Sequence, residues 1–196
     1  KVFYKNALPN EIPQMSVGLL LDESGSMCSC DRCTYARSSA IILYDFCKAL
    51  HIPVTVYGHS TSGNSVELYS YAEFESIDND DKYRMMDIAA RGSNRDGAAL
   101  RFVAEQLVKR PEEVKILILV SDGQPAAPGY YGSAAEEDLR GIRQEYRRKG
   151  VLFIAAAIGE DKQNIERIYG DSFMDITDLN QLPVKLTAAV KRHMRV

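Results

Sequence analysis

The most chemically informative part of the sequence is a short loop that directly follows the first apolar segment. It carries Asp22, Ser24 and Ser26, which alternate with other residues. In an extended loop, alternate side chains point to the same side, and Gly25 relaxes the backbone between the two serines, so one carboxylate and two hydroxyls can surround a common point. Oxygen ligands suit a hard cation such as Mg²⁺ or Mn²⁺, and the lack of Cys and His in the group disfavours zinc. The spacing therefore predicts a divalent-metal site.

A second carboxylate and two further candidate ligands come from later segments. Asp122 follows the most strand-like segment of the chain, residues 115–120. Asn94 and Asp96 precede a predicted helix. We expect Asn94 to be a ligand through its amide oxygen, and Asp96 to be an additional ligand or to support the ligands from behind. Each has a structural alternative, because Ser, Asp and Asn cap helices and an acidic residue stabilises a helix N-terminus. The predicted metal site comprises Asp22, Ser24, Ser26, Asn94 and Asp122, with Asp96 as a further candidate.

The segments that position these residues alternate between short apolar runs and longer amphipathic stretches. The runs predict strands over residues 15–21, 54–58, 66–74, 115–120, 152–158 and 173–176. The stretches predict helices over residues 34–50, 80–90, 97–109, 133–149, 163–169 and 179–194. This order indicates an α/β fold with a Rossmann-like, doubly wound, mainly parallel sheet, one antiparallel edge strand over residues 66–74, and helices on both faces. Ligands of such sheets bind beyond the carboxyl ends of the strands, where Asp22 and Asp122 are expected.

Composition limits the possible classes of protein. The chain has 196 residues, a formal net charge of −3 and a hydrophobic fraction of 45%, which predicts one globular domain over residues 1–196 with a lead-in over residues 1–12. The charge gives no electrostatic footprint for nucleic acid, and no apolar run approaches the roughly 20 residues of a membrane span. The start of the sequence lacks both a signal peptide and a Met. We therefore expect a cytoplasmic domain from the C-terminal part of a longer protein.

With these residues and segments, the sequence resembles the von Willebrand factor A (VWA) family. Asp22, Ser24 and Ser26 match its metal-ion-dependent adhesion site, and residues 121–123 match the loop that supplies the later aspartate. The resemblance runs from about residue 13 to residue 194 and looks closest to the bacterial nitric oxide reductase activation proteins and the large VWA subunit of aerobic cobaltochelatase. The segments that point to these proteins are residues 94–101, 121–125, 129–132 and 137–138.

The resemblance implies a non-enzymatic interaction module. It implies that Mg²⁺ or Mn²⁺ is held by the Asp22 group and Asp122, and that an Asp or Glu of a protein partner completes the coordination shell. It also implies a partnership with a MoxR-type AAA+ ATPase in the maturation or activation of a metalloenzyme, and makes residues 179–194 the candidate moving element. The target metalloenzyme or another part of the parent chain is an alternative partner.

One departure from the family pattern affects the expected site. Most adhesion-type domains supply a threonine hydroxyl at the position of Asn94. A nearby Asp96 carboxylate would lower the residual positive charge of the cation, so a partner's carboxylate would be attracted less strongly. The site is then either metal-competent with altered partner affinity, or it holds its metal mainly for structure.

Two other functions compete with this interpretation. A Mg²⁺ site at a strand end is also typical of many phosphatases and other hydrolases. Against that class, the sequence has no second carboxylate two residues after Asp22, no phosphate-binding glycine loop, and no evident nucleophile–base pair. The other alternative is a metal-independent interaction domain with a vestigial site.

Several residues outside the predicted ligand set are also candidates. Glu23, Tyr130 and Tyr131 are expected at a partner-facing rim, although the tyrosine loop is equally well explained by packing on the domain. His59 is expected in a solvated loop rather than at the site. The clustered thiols of Cys28, Cys30 and Cys33 resemble a soft-metal site, but without an obvious fourth ligand we expect free thiols, and Cys47 lies in a helical apolar stripe.

Overall fold

The computed structural model describes residues 14–29, 31–76, 78–123, 125–157 and 162–176, together with residues 178, 181, 184, 185, 187 and 188. The strands are β1 (Met15–Asp22), β2 (Val54–Ser62), β3 (Ser65–Ala72), β4 (Val114–Ser121), β5 (Ala126–Ala127), β6 (Tyr130–Tyr131), β7 (Val151–Ala157) and β8 (Phe173–Asp175). The helices are α1 (Arg32–Ala49), α2 (Asp81–Met85), α3 (Asp96–Val108), α4 (Gly132–Arg148) and α5 (Lys162–Tyr169). Short 3₁₀ helices span Gly25–Cys28 and Gly170–Ser172.

The main sheet has six strands in the order β3-β2-β1-β4-β7-β8. Every neighbouring pair is parallel except β2 and β3, which form an antiparallel hairpin at one edge. Half of the β3 residues alternate between exposed and partly buried positions, as expected for an edge strand. The predicted α/β fold with its single antiparallel edge strand is therefore confirmed.

Helices pack on both faces of the sheet and bury two separate apolar layers. In β1, Leu19 and Leu21 face the layer that α1 and α2 cover, whereas Leu20 faces the layer beneath α3, α4 and α5. Successive strand residues point to opposite faces, so a strand covered on both sides must be apolar throughout. This explains why β1 and β4 appear in the sequence as continuous apolar runs.

The helix predicted over residues 80–90 is wrong in length, since α2 ends at Met85. Beyond it the chain continues in tight turns, with the amide of Ile88 bonded to the carbonyl of Met85 at 3.3 Å. Ile88 is fully buried, and its carbonyl accepts a hydrogen bond of 2.6 Å from Arg37. The burial of Ile88 and its hydrogen bond to Arg37 of α1 outweigh the local helical pattern. These contacts direct the following segment toward the end of β1.

Some predicted elements differ from the structure in their bounds, and others lie outside the described residues. β2 extends four residues beyond its predicted end at residue 58, and the small β5–β6 hairpin was not predicted. Residues 1–12 lie outside the described residues, as does most of the terminal helix predicted over residues 179–194. None of the helices in the described part of the chain is both long and apolar enough to cross a membrane.

Candidate functional site

The candidate site lies at the carboxyl ends of β1 and β4, the two central strands. These strands run in parallel register, with Leu21 opposite Val120. The residue after each of these positions therefore begins a polar strand end at the same edge of the sheet. Asp22 and Ser121 are brought into contact in this way, although 99 positions separate them in the sequence.

Asp22 is the centre of a hydrogen-bond network and is completely buried. Its Oδ1 accepts the backbone N–H of Ser24 at 2.8 Å. Its Oδ2 accepts Nδ2 of Asn94 at 2.7 Å and the hydroxyl of Ser121 at 2.8 Å. A carboxylate has about four lone-pair sites, so three donors hold Asp22 in one orientation and leave capacity for one more partner.

The two loop hydroxyls lie together as predicted, but the predicted extended loop is wrong, because a 3₁₀ helix begins at Gly25 and brings Ser26 back toward Ser24. The Oγ atoms of Ser24 and Ser26 are 3.0 Å apart, with Ser24 buried and Ser26 exposed. The amide of Gly25 bonds to the carbonyl of Gly92 at 2.7 Å, which ties this loop to the segment that carries Asn94. The hydroxyl pair thus leads from the buried carboxylate to the surface.

Asp122 supplies the second carboxylate from the end of β4. It is 6% exposed, and its Oδ2 lies 3.5 Å from Nη1 of Arg32 at the start of α1. The next residue, Gly123, has a φ of +104°, and a Cβ there would lie 2.9 Å from the side chain of Ile165. Only glycine fits this turn without strain, since it combines positive φ with close packing.

Asn94 and Asp96 both lie at the site, and the amide of Asn94 is already hydrogen-bonded within the chain. The Oδ1 of Asn94 accepts the backbone N–H of Asp96 at 3.1 Å, so this side chain bridges Asp22 and the start of α3. Asp96 is 2% exposed, and its Oδ1 lies 3.1 Å from Nε2 of His59. Asn94 therefore lies at the site as predicted, but it is not the helix cap, since Arg95 occupies the N-cap position of α3.

His59 also lies at the site, contrary to its predicted location. The expectation of a solvated loop histidine is wrong, because His59 is completely buried in β2 and lies opposite Asp22 in the β1–β2 register. The misplacement followed from ending β2 at residue 58. Residues 59–62 are all polar, so hydrophobic alternation offered no signal for a longer strand.

The buried charges at the site affect one another. Burial, together with the nearby carboxylate of Asp96, raises the pKa of Asp22 above its ordinary value. Burial by itself favours neutral His59, but the neighbouring carboxylates, Asp96 foremost, outweigh burial and raise the imidazole pKa. The chain therefore concentrates carboxylates in a region with little water, where an added positive charge is electrostatically favoured.

Glu23 is not at the rim, and that expectation is corrected. It is fully buried, accepts the hydroxyl of Tyr71 at 2.5 Å, and pairs with Nε of Arg91 at 2.7 Å. Burial of a carboxylate is tolerated because both of these partners compensate its lost hydration. Glu23 thus holds the structure together behind the site and has no surface to offer a partner.

The two tyrosines of the β5–β6 hairpin differ in their surroundings. Tyr130 is partly buried and donates a 2.8 Å hydrogen bond to Asp138, whereas Tyr131 is 69% exposed. The hairpin lies beside the site, because the amide of Ala126 bonds to the carbonyl of Asn94 at 3.2 Å. Tyr131 is therefore placed at the rim, while Tyr130 packs on the domain.

The cysteines show no grouping with other ligands in the described residues. Cys28 is exposed, Cys33 is partly exposed and Cys47 is buried, and all three thiols are free. Burial raises the pKa of Cys33 and brings that of Cys47 to about 12, so both are poor thiolates. Cys30 lies outside the described residues.

The donor set at the site fits a hard divalent cation. Its candidate ligand atoms are carboxylate and hydroxyl oxygens, with the Asn94 amide already used twice within the chain. The described ranges contain no group of three or more His, Cys, Asp and Glu side chains suited to a metal. A cation here would therefore depend on the serine hydroxyls and on water, as Mg²⁺ commonly does.

Comparison with known proteins gives relatives along the whole chain. A family model described as the cobalamin biosynthesis protein CobT VWA domain matches residues 81–194, more than half of the chain. The uncharacterized protein YojO of Bacillus subtilis is 26% identical over 98% of this chain and 32% of its own length. Protein NorD of Brucella suis is 34% identical over 48% of this chain and 15% of its own length. The chain thus spans a third or less of these curated relatives.

Solved structures with low sequence identity share the fold. The PilB minor pilin of Streptococcus sanguinis superposes with a TM-score of 0.63 at 14% identity, covering 97% of this chain and 63% of that one. The vWF domain of the pili tip protein Mfa5 from Porphyromonas gingivalis gives 0.63 at 10% identity, covering 94% and 96%. The family match and the shared fold both indicate a VWA domain. The chain belongs to the CobT VWA domain family.

Proposed function

We propose that this chain is a protein-interaction module whose contact with its partner depends on Mg²⁺ or Mn²⁺. The ion would be held by Asp22, Ser24, Ser26 and Asp122, with Asn94 in support and Asp96 as a further candidate. Bound there, it would supply positive charge that attracts an Asp or Glu side chain of the partner.

The observation that carries this proposal is the arrangement around Asp22. Three donors from Ser24, Asn94 and Ser121 orient its carboxylate. The same loop brings two serine hydroxyls within 3.0 Å of each other beside it. A carboxylate that hydrogen bonds already hold in one orientation supports metal binding, because the ligand needs little reordering when the ion binds.

The relatives support a particular setting for this module. The matched family is named for cobalamin biosynthesis, and other relatives are named NorD. We propose that the module acts in the cytoplasm with a MoxR-type AAA+ ATPase, in the maturation or activation of a metalloenzyme. Tyr131, which is 69% exposed beside the site, offers contact area to the incoming partner.

A thermal melt tests the metal dependence directly. The chain is melted in chelator and then with MgCl₂ or MnCl₂, together with Asp122→Asn and the control Asp45→Asn. Asp45 is a 49% exposed carboxylate that pairs with Lys82. A ligand that binds only the folded state adds about 2.7 kcal/mol at a hundredfold excess over Kd. We expect the melting temperature of the wild type and Asp45→Asn to rise with metal, and that of Asp122→Asn to rise little.

The same samples test the non-enzymatic assignment. Incubation with Mg²⁺ and p-nitrophenyl phosphate should give no turnover above that of buffer. Turnover that Asp122→Asn abolishes would instead establish a metal-dependent hydrolase. If neither metal shifts the melting temperature of the wild type, the site is vestigial and the interaction surface is metal-independent.

A further inference from the structure

The guanidinium of Arg32 lies at the candidate metal site. Its Nη1 donates to the backbone carbonyl of Ser26 at 3.2 Å and lies 3.5 Å from Oδ2 of Asp122. One nitrogen therefore contacts both the loop after β1 and the end of β4, the segments that carry the proposed ligands. A positive charge that belongs to the chain itself is held against one of those ligands.

The burial of both partners makes this contact significant. The side chain of Asp122 is 7% exposed and that of Arg32 is 16% exposed. A carboxylate with so little access to water needs a compensating charge, and an ion pair shielded from solvent is screened much less than one at the surface. Arg32 supplies this compensation when no other cation is present.

The position of Arg32 in α1 weakens its hold on the site. Arg32 is the first residue of this helix, and the first turn contains no acidic residue. The positive end of the helix dipole disfavours a cation at that position. The contact with Asp122 and the hydrogen bond to the Ser26 carbonyl hold the guanidinium against this unfavourable dipole, and a stronger competitor for Asp122 would remove the contact between charges.

We propose that Arg32 and a divalent cation compete for Asp122, so that Arg32 sets the metal affinity of the site. This inference rests on the proposed function, because it presupposes that a divalent ion binds there. In the metal-free chain Arg32 neutralises Asp122. When metal binds, Asp122 turns from the guanidinium to the ion, and the repulsion between the two positive charges displaces Arg32.

Titration calorimetry with MnCl₂ alone tests the competition, using wild type, Arg32→Gln and Arg32→Lys. Arg147→Gln is the matched control, since Arg147 is 60% exposed and lies 4.0 Å from an exposed Asp171. Removing a unit charge a few ångströms from the ion should tighten Mn²⁺ binding about tenfold in Arg32→Gln. Arg32→Lys keeps the charge and should stay close to the wild type, as should Arg147→Gln.

The direction of the change separates competition from a structural role. A residue that merely supports the fold weakens metal binding when it is replaced, whereas a competitor strengthens it. In chelator, Arg32→Gln should melt below the wild type because the buried Asp122 carboxylate loses the positive charge of Arg32, and it should show the larger rise on adding Mn²⁺. These two melts also confirm that the variant is folded.

The outcomes for the inference and for the proposed function are distinct. If the wild type binds Mn²⁺ and Arg32→Gln binds it equally or more weakly, the competition is overturned while the metal-dependent function stands. If neither protein binds Mn²⁺, both proposals fail together.

Discussion

The Nε atom of Arg91 lies 2.7 Å from a carboxylate oxygen of Glu23, a residue with no exposed surface. The two residues are joined a second time, because the backbone N–H of Arg91 donates to the carbonyl of Glu23 at 2.7 Å. This double tie fixes the segment that leads to Asn94 against the end of β1. It explains how Asn94 reaches Asp22 from a distant part of the sequence.

Arg91→Gln should destabilise the fold, because it leaves Glu23 buried with a weaker partner. Arg91 is itself 35% exposed, so we expect a loss of about 2 kcal/mol, below the range for a fully buried pair. Urea unfolding measures the loss, with Arg147→Gln as the exposed control. Equal stability of the two variants would show that Glu23 does not depend on Arg91.

Replacement of Asn94 should separate its two roles. Asn94→Ala removes a donor to Asp22 and an acceptor for the backbone N–H of Asp96, which should cost about 2 kcal/mol by the usual value of two hydrogen bonds. Asn94→Asp keeps the acceptor but faces Asp22 with a second carboxylate. We therefore expect both variants to melt low in chelator, and Mg²⁺ to recover mainly Asn94→Asp. A similar recovery of the alanine variant would contradict this assignment.

Gly58→Ala should disrupt the buried carboxylate behind the site. A Cβ at this position would overlap the carboxylate of Glu23 and lie 3.0 Å from the ring of Tyr71. Overpacking of this kind costs about 3 kcal/mol. Gly141→Ala is the matched control, since its Cβ would meet no atom within 4 Å and alanine favours an exposed helix interior by about 0.5–1 kcal/mol. Chemical denaturation should therefore give changes of opposite sign.

The ionised side chain of Asp81 should stabilise the fold at neutral pH, and this stabilisation should be lost in acid. Although burial opposes ionisation, hydrogen bonds from Ser76, Tyr44 and Arg84 lower the pKa of Asp81 below its usual 3.8. A carboxyl whose folded pKa is depressed stabilises the fold above the unfolded pKa, and this contribution is lost as pH falls through the folded value. The free-energy cost of Asp81→Asn should thus be larger at pH 7 than near pH 3, as measured by urea unfolding at both values. A cost that does not change with pH would exclude this linkage.

The hydrophobic pattern of the sequence predicted an element correctly where burial on both faces determined its composition. β1 and β4 are covered on both faces, so their apolar runs stand out in the sequence. Residues 86–90 are not helical, although their pattern predicts a helix. Ile88 is buried and Arg91 pairs with Glu23, and both contacts are made with other elements, so the local pattern does not reveal them. Glu23 and His59 were misplaced for the same reason, since a charged or polar residue is buried only when partners elsewhere in the chain compensate it.

The sequence by itself determined the strand–helix order and the oxygen-rich loop of Asp22, Ser24 and Ser26, because periodicity and residue spacing are local properties. The tertiary structure decided which polar groups meet. Arg32 and Asp122 lie 90 positions apart and are joined only because β1 and β4 are neighbours. Such pairing follows from the packing of whole elements, which no short stretch of the chain encodes.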